Sequence, residues 1–322
     1  MNRPLSIVIP TWNGRELLQR FLPSVIAEAE RWTAASGGSC EIVLSDDGST
    51  DETLDWLRRA FPAIRTAASP VNRGFAPAAN AGVEAARGEL VVLLNNDLEL
   101  TPGALDPLCA WFDQEDLFGV TLRGYDLPRR EFATGGKLGR FRRGFWETWR
   151  NFEQPRGESF LLVGGFCVFR RAAFLEMGGF DPIFAPYYSE DLDLSYRARK
   201  RGWRLGYEPG SLVHHAQSSS VRRHRTAFRR AAVIERNRLL FHWRNLDPAR
   251  LRRHLAWAHV LLLQMLLKGH WAYHAGYFQA VRRLGAVRDF RRRERAQWRR
   301  SDAELELATP PPTTASACKE ML

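Results

Sequence analysis

The sequence predicts an α/β protein: a mixed sheet flanked by helices, with a basic helical extension towards the C-terminal end. Three observations predict it. Through the first half, short apolar runs alternate with amphipathic stretches, the pattern of a βαβα sheet. Runs such as Ile42-Val43-Leu44 and Leu90-Val91-Val92-Leu93-Leu94 are apolar on both faces, as in strands covered from two sides. Positive charge is gathered at one end: residues 221–300 hold 21 Lys and Arg against 4 Asp and Glu, so the rest of a chain of net charge +11 is mildly acidic.

Taken in order, strands are expected at 5–10, 41–45, 64–68, 90–95 and 118–122, and helices near 14–34, 51–60, 77–87 and 102–114. Thr101-Pro102 reads as an N-cap followed by proline at the first helical position of the last of these. Residues 123–158 are rich in Gly, Arg and aromatics (Phe141, Phe145, Trp146, Trp149) without a period, and read as a long functional loop or lid with a short irregular sheet. Regular structure resumes at Phe160–Arg170. Helices follow near 171–177 and 190–201, and a strand near 204–208 leads to His214-His215. Trp203 and Tyr207 read as core. Arg-rich helix follows from 221, and a polar tail with Pro310-Pro311-Pro312 over 301–322 is expected to be disordered.

The 322 residues are 45% hydrophobic, enough to bury a real core, which excludes wholesale disorder. Four widely spaced cysteines, Cys40, Cys109, Cys167 and Cys318, form no metal or disulfide pattern and read as thiols of a reducing compartment. Leu5–Pro10 already reads as a strand, not a signal peptide, so the active domain is expected to face the cytoplasm.

In an open α/β sheet, ligands sit beyond the carboxyl ends of the strands. Three such ends carry polar clusters here: Pro10-Thr11-Trp12-Asn13-Gly14, Ser45-Asp46-Asp47-Gly48-Ser49-Thr50-Asp51 and Asn95-Asn96-Asp97. Any one of them would serve as a turn or helix cap. Three on successive strand ends make a crevice able to read a base and ribose by hydrogen bonding, with Asp97 as a hard oxygen ligand for a divalent cation.

These stretches resemble a family 2 glycosyltransferase of GT-A, Rossmann-like fold. The resemblance is carried by Ser6–Gly14, Glu41–Thr53, Asn72–Leu100 and Gly164–Ser220, and spans roughly residues 4–245. Within the family it is most similar to rhamnosyltransferase-type members of surface polysaccharide pathways. It implies a catalytic domain over 1–220, with a nucleotide-binding half to about 122 and an acceptor half over 123–220. The basic extension over 221–300 and the tail follow.

The resemblance also implies roles. Thr11, Asn13 and the Asp46-Asp47 pair would contact the nucleoside, one carboxylate on a uracil or thymine edge. Asn72 and Arg73, with Gly74, would close over the nucleotide, and Asn80 would lie nearby. Asn95, Asn96 and Asp97 occupy the family's DxD position, where Asn95 replaces the first carboxylate and leaves Asp97 as the acidic ligand for Mg2+ or Mn2+. His214, in preference to His215, would complete the metal or diphosphate site. Asp191 would be the general base and Glu190 would orient it or bind acceptor, over the backbone of Gly164 and Gly165. One base and one displacement imply inversion at the anomeric carbon. The implied partners are a UDP- or dTDP-sugar and a glycan or lipid-linked acceptor.

No G-x-G-x-x-G follows the first strand and no G-x-x-x-x-G-K-[ST] occurs, against an oxidoreductase or P-loop NTPase. A nucleotidyltransferase on a similar sheet does not account for Ser189–Trp203 or the histidine pair. A nucleic-acid binder would use the basic segment, but residues 255–281 contain only one formal charge, Lys268, and are rich in Leu and aromatics. Interfacial helices fit better, with Arg252-Arg253 and Arg282-Arg283 on anionic lipid and Trp257, Trp271, Tyr273 and Tyr277 at the boundary. The protein is then peripheral on the inner face of the membrane. Packing on the catalytic domain, or on a second copy in a homodimer, is the alternative.

Overall fold

The structure, a computed structural model, describes residues 3–127, 131–150, 155–216 and 226–307. Its first half runs β1 (Leu5–Thr11), α1 (Arg15–Ser36), β2 (Cys40–Asp47), α2 (Thr53–Ala60), β3 (Arg65–Ser69), α3 (Phe75–Ala85), β4 (Leu90–Leu94) and β5 (Leu98–Leu100). Next come β6 (Leu117–Asp126), β7 (Phe132–Thr134), β8 (Lys137–Arg142), β9 (Phe145–Arg150), β10 (Gly157–Glu158) and β11 (Phe166–Arg170). The remainder is α4 (Arg171–Glu176), α5 (Glu190–Lys200), β12 (Arg204–His215), α6 (Ala227–Asn245), α7 (Pro248–Leu267), α8 (Trp271–Val281) and α9 (Leu284–Glu294).

Ten strands form one mixed sheet, ordered β10-β12-β6-β11-β4-β1-β2-β3, with β5 on β12 and β7 on β6. β1 to β4 are parallel, whereas β11 runs antiparallel between β4 and β6. Every side chain of β1 and β4 is buried, as their unbroken apolar runs predicted. Alternate residues feed two cores. One, with Ile7, Ile9 and Leu44, is capped by α1; the other, with Val8, Val43 and Val91, by α3, α4 and α5.

The helix expected near 102–114 does not form: residues 102–108 are turns, followed by a 3-10 stretch at Cys109–Asp113. The buried carboxylate of Glu28 on α1 takes the N–H groups of Gly103 (2.9 Å) and Leu105 (3.0 Å), and Gly103 lies at φ +86. Thr101 donates its hydroxyl to the Leu212 carbonyl (2.9 Å) instead of capping. β12 is longer than the strand expected near 204–208 because a register shift between Glu208 and Leu212 carries it past Pro209-Gly210. That continuation supplies the partner for β5.

The irregular stretch 123–158 contains a regular hairpin, β8–β9, with six registered pairs. Its inward Trp146 joins Phe160, Tyr196, Leu239, Phe241, Ala258, Ala280 and Val287 in a third core. From Ala227 the Arg-rich segment is helical and packs there, while residues 221–225, where that helix was expected to begin, lie outside the described residues. Ion pairs lock the junction: buried Asp193 on α5 accepts from Arg197 Nε (2.8 Å) and Asn245 Nδ2 (2.7 Å), with Arg244 Nε at 3.3 Å. Removing one partner of such a buried set costs about 3–5 kcal/mol. Order also extends into the expected disordered tail. Asp302, 1% exposed, accepts from Lys200 Nζ (2.8 Å) and Tyr196 Oη (2.6 Å), and Leu307 bridges to Gly139. Residues 308–322, with Pro310-Pro311-Pro312 and Cys318, lie outside the described residues. Cys40, Cys109 and Cys167 are unpaired thiols.

Candidate active site

Parallel pairing places the polar clusters side by side. Thr11 at the end of β1 is in register with Asp46 on β2, and β4 delivers Asn95, Asn96 and Asp97 on the other flank. Asn96 Nδ2 donates to Thr11 Oγ1 (2.8 Å), tying two of these ends together. Asn13, at φ 47, receives Thr50 N–H on its Oδ1 (2.8 Å) while its own N–H goes to Ser49 Oγ (2.8 Å), tying the first cluster to the second.

The two aspartates of β2 divide their work. Asp47 accepts the N–H groups of Arg73 (2.9 Å) and Gly74 (2.7 Å), so it shapes the exposed Asn72–Gly74 loop over the crevice. Burial still pushes its carboxyl above the ordinary range despite those bonds. Asp46 accepts Ser49 N–H on one oxygen (3.0 Å), and its buried Oδ1 has no partner among the described residues. That oxygen suits the N–H edge of a pyrimidine. Gly74, at φ +100, is packed on Pro186, where a Cβ would come 2.8 Å from the Pro186 carbonyl oxygen. The Asn72–Gly74 loop therefore touches the loop before α5.

At Asp97 the structure brings up His215, not the expected His214. His215 Nε2 lies 3.3 Å from Asp97 Oδ2, while His214 Nδ1 faces Glu99 at 3.5 Å. The two histidines end β12, and successive strand residues point to opposite faces. The antiparallel pairing of His215 with Leu98 sets which one faces Asp97. One carboxylate and one imidazole suit a divalent cation only if further oxygens come from a diphosphate and water. Among the described residues no three His, Cys, Asp or Glu side chains converge as a closed site.

The reversed direction of β11 brings Gly164 and Gly165 to the same edge. The Gly165 carbonyl accepts Asn95 N–H (3.1 Å). Gly165 is favoured on two counts: its φ is +79, and a Cβ would lie 2.1 Å from Asn95 Oδ1, so any side chain here would be strained and would displace Asn95. Gly164 donates its N–H to Asp191 Oδ2 (3.1 Å), and Leu192 N–H holds Asp191 Oδ1 (2.7 Å). Glu190 is buried and its Oε2 has no partner among the described residues. Both carboxyls are pushed up by burial, Glu190 further by the neighbouring Asp191 charge. A helix N-terminus favours the charged forms, so here burial outweighs the dipole.

The raised Glu190 carboxyl has a testable sign. The folded state holds its proton more tightly than the unfolded state, so its stabilising contribution is present at low pH and is lost as pH rises through the folded value. Glu190→Gln is therefore expected to raise Tm relative to the parent near pH 8, with the gap closing towards pH 5. Melting curves across about pH 5–9 check it, and a pH-independent gap would contradict a raised carboxyl.

Other expected residues are placed elsewhere, and some unexpected ones matter. Asn80 has its side-chain amide engaged within the fold. Its Nδ2 donates to the Phe180 carbonyl (2.8 Å) and its Oδ1 accepts Phe180 N–H (2.9 Å), clamping α3 to the 178–181 turn. Tyr207 is core, as predicted, and Trp203 packs against the second core. Sequence reasoning missed Asn237 on α6, wholly buried, whose Nδ2 donates to the carbonyls of Phe184 (2.7 Å), Tyr187 (2.9 Å) and Tyr188 (2.8 Å). It holds Tyr188 and Ser189 at positive φ, 71 and 76, and so aims the start of α5. Its only signal was a polar residue on the inward face of an Arg-rich helix.

Comparison with known proteins identifies the family and the fold. The family model described as glycosyl transferase family 2 matches residues 6–178. An N-acetylglucosaminyl-diphospho-decaprenol L-rhamnosyltransferase of Mycobacterium tuberculosis is 29% identical over 252 residues, 69% of this chain and 79% of its own. Among solved structures, GalNAc-T7 with UDP, GalNAc and Mn2+ superposes with TM-score 0.56 at 21% identity, over 74% of this chain and 47% of that one. The mannosyltransferase PcManGT of Pyrobaculum calidifontis, with GDP-Man and Mn2+, gives 0.52 at 17% identity, over 89% and 76%. The fold is thus GT-A, and with more than half of its length matched by one family model, this chain belongs to glycosyl transferase family 2 and is a glycosyltransferase.

Proposed function

We propose that the chain moves a sugar from a UDP- or dTDP-sugar to a hydroxyl of a glycan or lipid-linked acceptor, inverting the anomeric centre. The carrying observation is the Gly164–Asp191 contact. It sets one carboxylate, held at both oxygens by backbone N–H groups, beside the strand ends that bear Asp97 and His215. Asp46 and the Asp47-braced loop bind the nucleoside. Asp97 and His215 would hold Mg2+ or Mn2+, which when bound neutralises charge on the departing diphosphate. Asp191 takes the acceptor proton as that oxygen attacks the anomeric carbon. Asn95 and the Gly164-Gly165 backbone shape the acceptor floor, with Glu190 behind it. The named acceptor of the mycobacterial relative carries its sugar on a prenyl diphosphate, so that class of acceptor is the first to try, with dTDP-rhamnose as donor. A panel of nucleotide sugars with each metal, read by thermal shift and product release, tests this. Transfer from none of them would refute it.

The exposed face of α7 and α8 supports a peripheral membrane reading. Only His254 and Ala258 of α7 are buried, while Leu263 is 59% exposed, Leu267 81% and Trp271 62%. Tyr273, expected at the boundary, is instead buried, and Tyr277 packs in the third core. Arg252, Arg253 and Arg282 are exposed around the apolar face. Among the described residues no helix is long and apolar enough to cross a membrane. Each basic residue near an anionic surface adds on the order of 1 kcal/mol. The full chain is expected to float with anionic but not neutral liposomes, more at low salt. A variant with Leu263→Ser, Leu267→Ser and Trp271→Ser should stay behind. Truncation is the poorer test, since it would unroof the third core. Failure to float at low salt, or concentration-dependent dimerisation through this face, would overturn the reading.

A further inference from the structure

A cavity of about 490 Å³ opens beside His215 and is closed on its far side by the β8–β9 hairpin, through Lys137, Thr148 and Arg150. Lys137 and Arg150 are direct cross-strand partners, so both side chains leave the hairpin on one face. Two like charges set directly opposite weaken a sheet, and the hairpin keeps them nonetheless. Arg150 is anchored from behind by the carbonyls of Phe132 (3.3 Å) and Ala133. The Lys137 ammonium has no hydrogen bond or ion pair among the described residues, and burial, with Arg150 nearby, lowers its pKa to about 8. Thr134 and Thr148 add hydroxyls to the wall. Among the described residues the anionic side chains in reach are Asp126, which also lines the cavity, faces His215 at 3.7 Å and lies in the field of Arg150, and Asp191, already held by two backbone N–H groups. Two cations and two hydroxyls around a cavity this size form a receptor for a tetrahedral oxyanion.

We propose that Lys137 and Arg150 form a phosphate subsite that takes the phosphate next to the acceptor sugar. The proposal rests on the glycosyl-transfer reading for its substrate. The acceptor side is chosen because the Lys137 backbone is bonded to the segment that leads to Gly164: its N–H donates to Ser159 Oγ (3.0 Å) and its carbonyl accepts Phe160 N–H (2.7 Å), and Gly164 N–H in turn holds Asp191, the proposed base. The nucleoside crevice lies instead at Thr11 and Asp46. An anion held at the hairpin would fix the acceptor by its charged linker and leave its sugar hydroxyl beside Asp191.

The test compares one acceptor sugar on a prenyl diphosphate with the same sugar on an uncharged alkyl chain. Lys137→Met is expected to raise KM for the diphosphate acceptor, relative to the uncharged one, by about 10- to 100-fold. Lys137→Arg, which keeps charge and reach, should recover most of the loss. Donor KM should not follow. Equal effects on both acceptors, or a rise in donor KM, would overturn the assignment. Metal-free titration with inorganic pyrophosphate gives a readout independent of turnover. The parent and Lys137→Arg should bind it, and Lys137→Met and Lys137→Gln should bind it at least about 10-fold more weakly. Unchanged binding across the series would overturn the subsite even if sugar transfer is established. Loss of binding in a protein that transfers no sugar would keep the anion site and refute only its substrate.

Discussion

Asp97→Ala is expected to reduce transfer on the order of 10³-fold or more, because a metal-held diphosphate supplies several kcal/mol of charge stabilisation. It should also remove the metal-dependent part of the thermal shift that nucleotide produces. The fold should survive, since the Asp97 backbone stays pinned by Ala216 N–H to its carbonyl (3.1 Å). His215→Ala should weaken metal dependence less severely, water replacing one neutral ligand, whereas His214→Ala should leave it nearly intact. The measurement is donor affinity with and without Mn2+ in the three variants. An Asp97→Ala enzyme that turned over normally, or a His214 effect larger than that of His215, would displace the metal from this pair.

Asp191→Asn should separate chemistry from donor binding. The amide is nearly isosteric and keeps an oxygen for Gly164 N–H, but it is no base. Transfer should fall about 10²–10⁴-fold, with nucleotide-sugar affinity unchanged. In the parent, burial holds the Glu190–Asp191 pair above the ordinary carboxylate range, so kcat/KM should rise with pH along an acid limb displaced upward. Glu190→Gln removes a like charge and should move that limb down. Donor affinity that fell with the rate in Asp191→Asn, or an acid limb at ordinary carboxylate pH, would place Asp191 outside the acceptor chemistry.

Much of the site was legible because strand ends are local. Apolar runs such as Leu90–Leu94 set the strands, and the polar residues that interrupt them must lie at their ends. Parallel pairing then makes neighbours of Thr11, Asp46 and Asp97. The Gly164-Gly165 pair was legible through family likeness, and its steric reason appears only with Asn95 pressed against Gly165. The clamp that Asn80 makes on Phe180 was not legible, because a side-chain amide looks the same in sequence whether it faces a ligand or clamps a turn.

Sequence alone determined the α/β class, the three polar strand ends and the basic helical character of the segment that follows the catalytic domain, since each follows from local composition and period; the Glu190-Asp191 pair was marked by family likeness. Tertiary structure alone decided the rest. The choice of His215 over His214 came from the register of β12 on β5. The loss of the helix at 102–114 came from Glu28, more than seventy residues away, capturing two N–H groups. The pairing of Lys137 with Arg150 came from a hairpin whose strands carry no clean alternation. The anchoring of the first part of the tail came from Asp302 neutralising Lys200 in a shared core. The physical reason is common to all four: register, capture of backbone groups and burial of charge are interactions between residues distant in sequence, and composition and local period do not encode which distant partners meet.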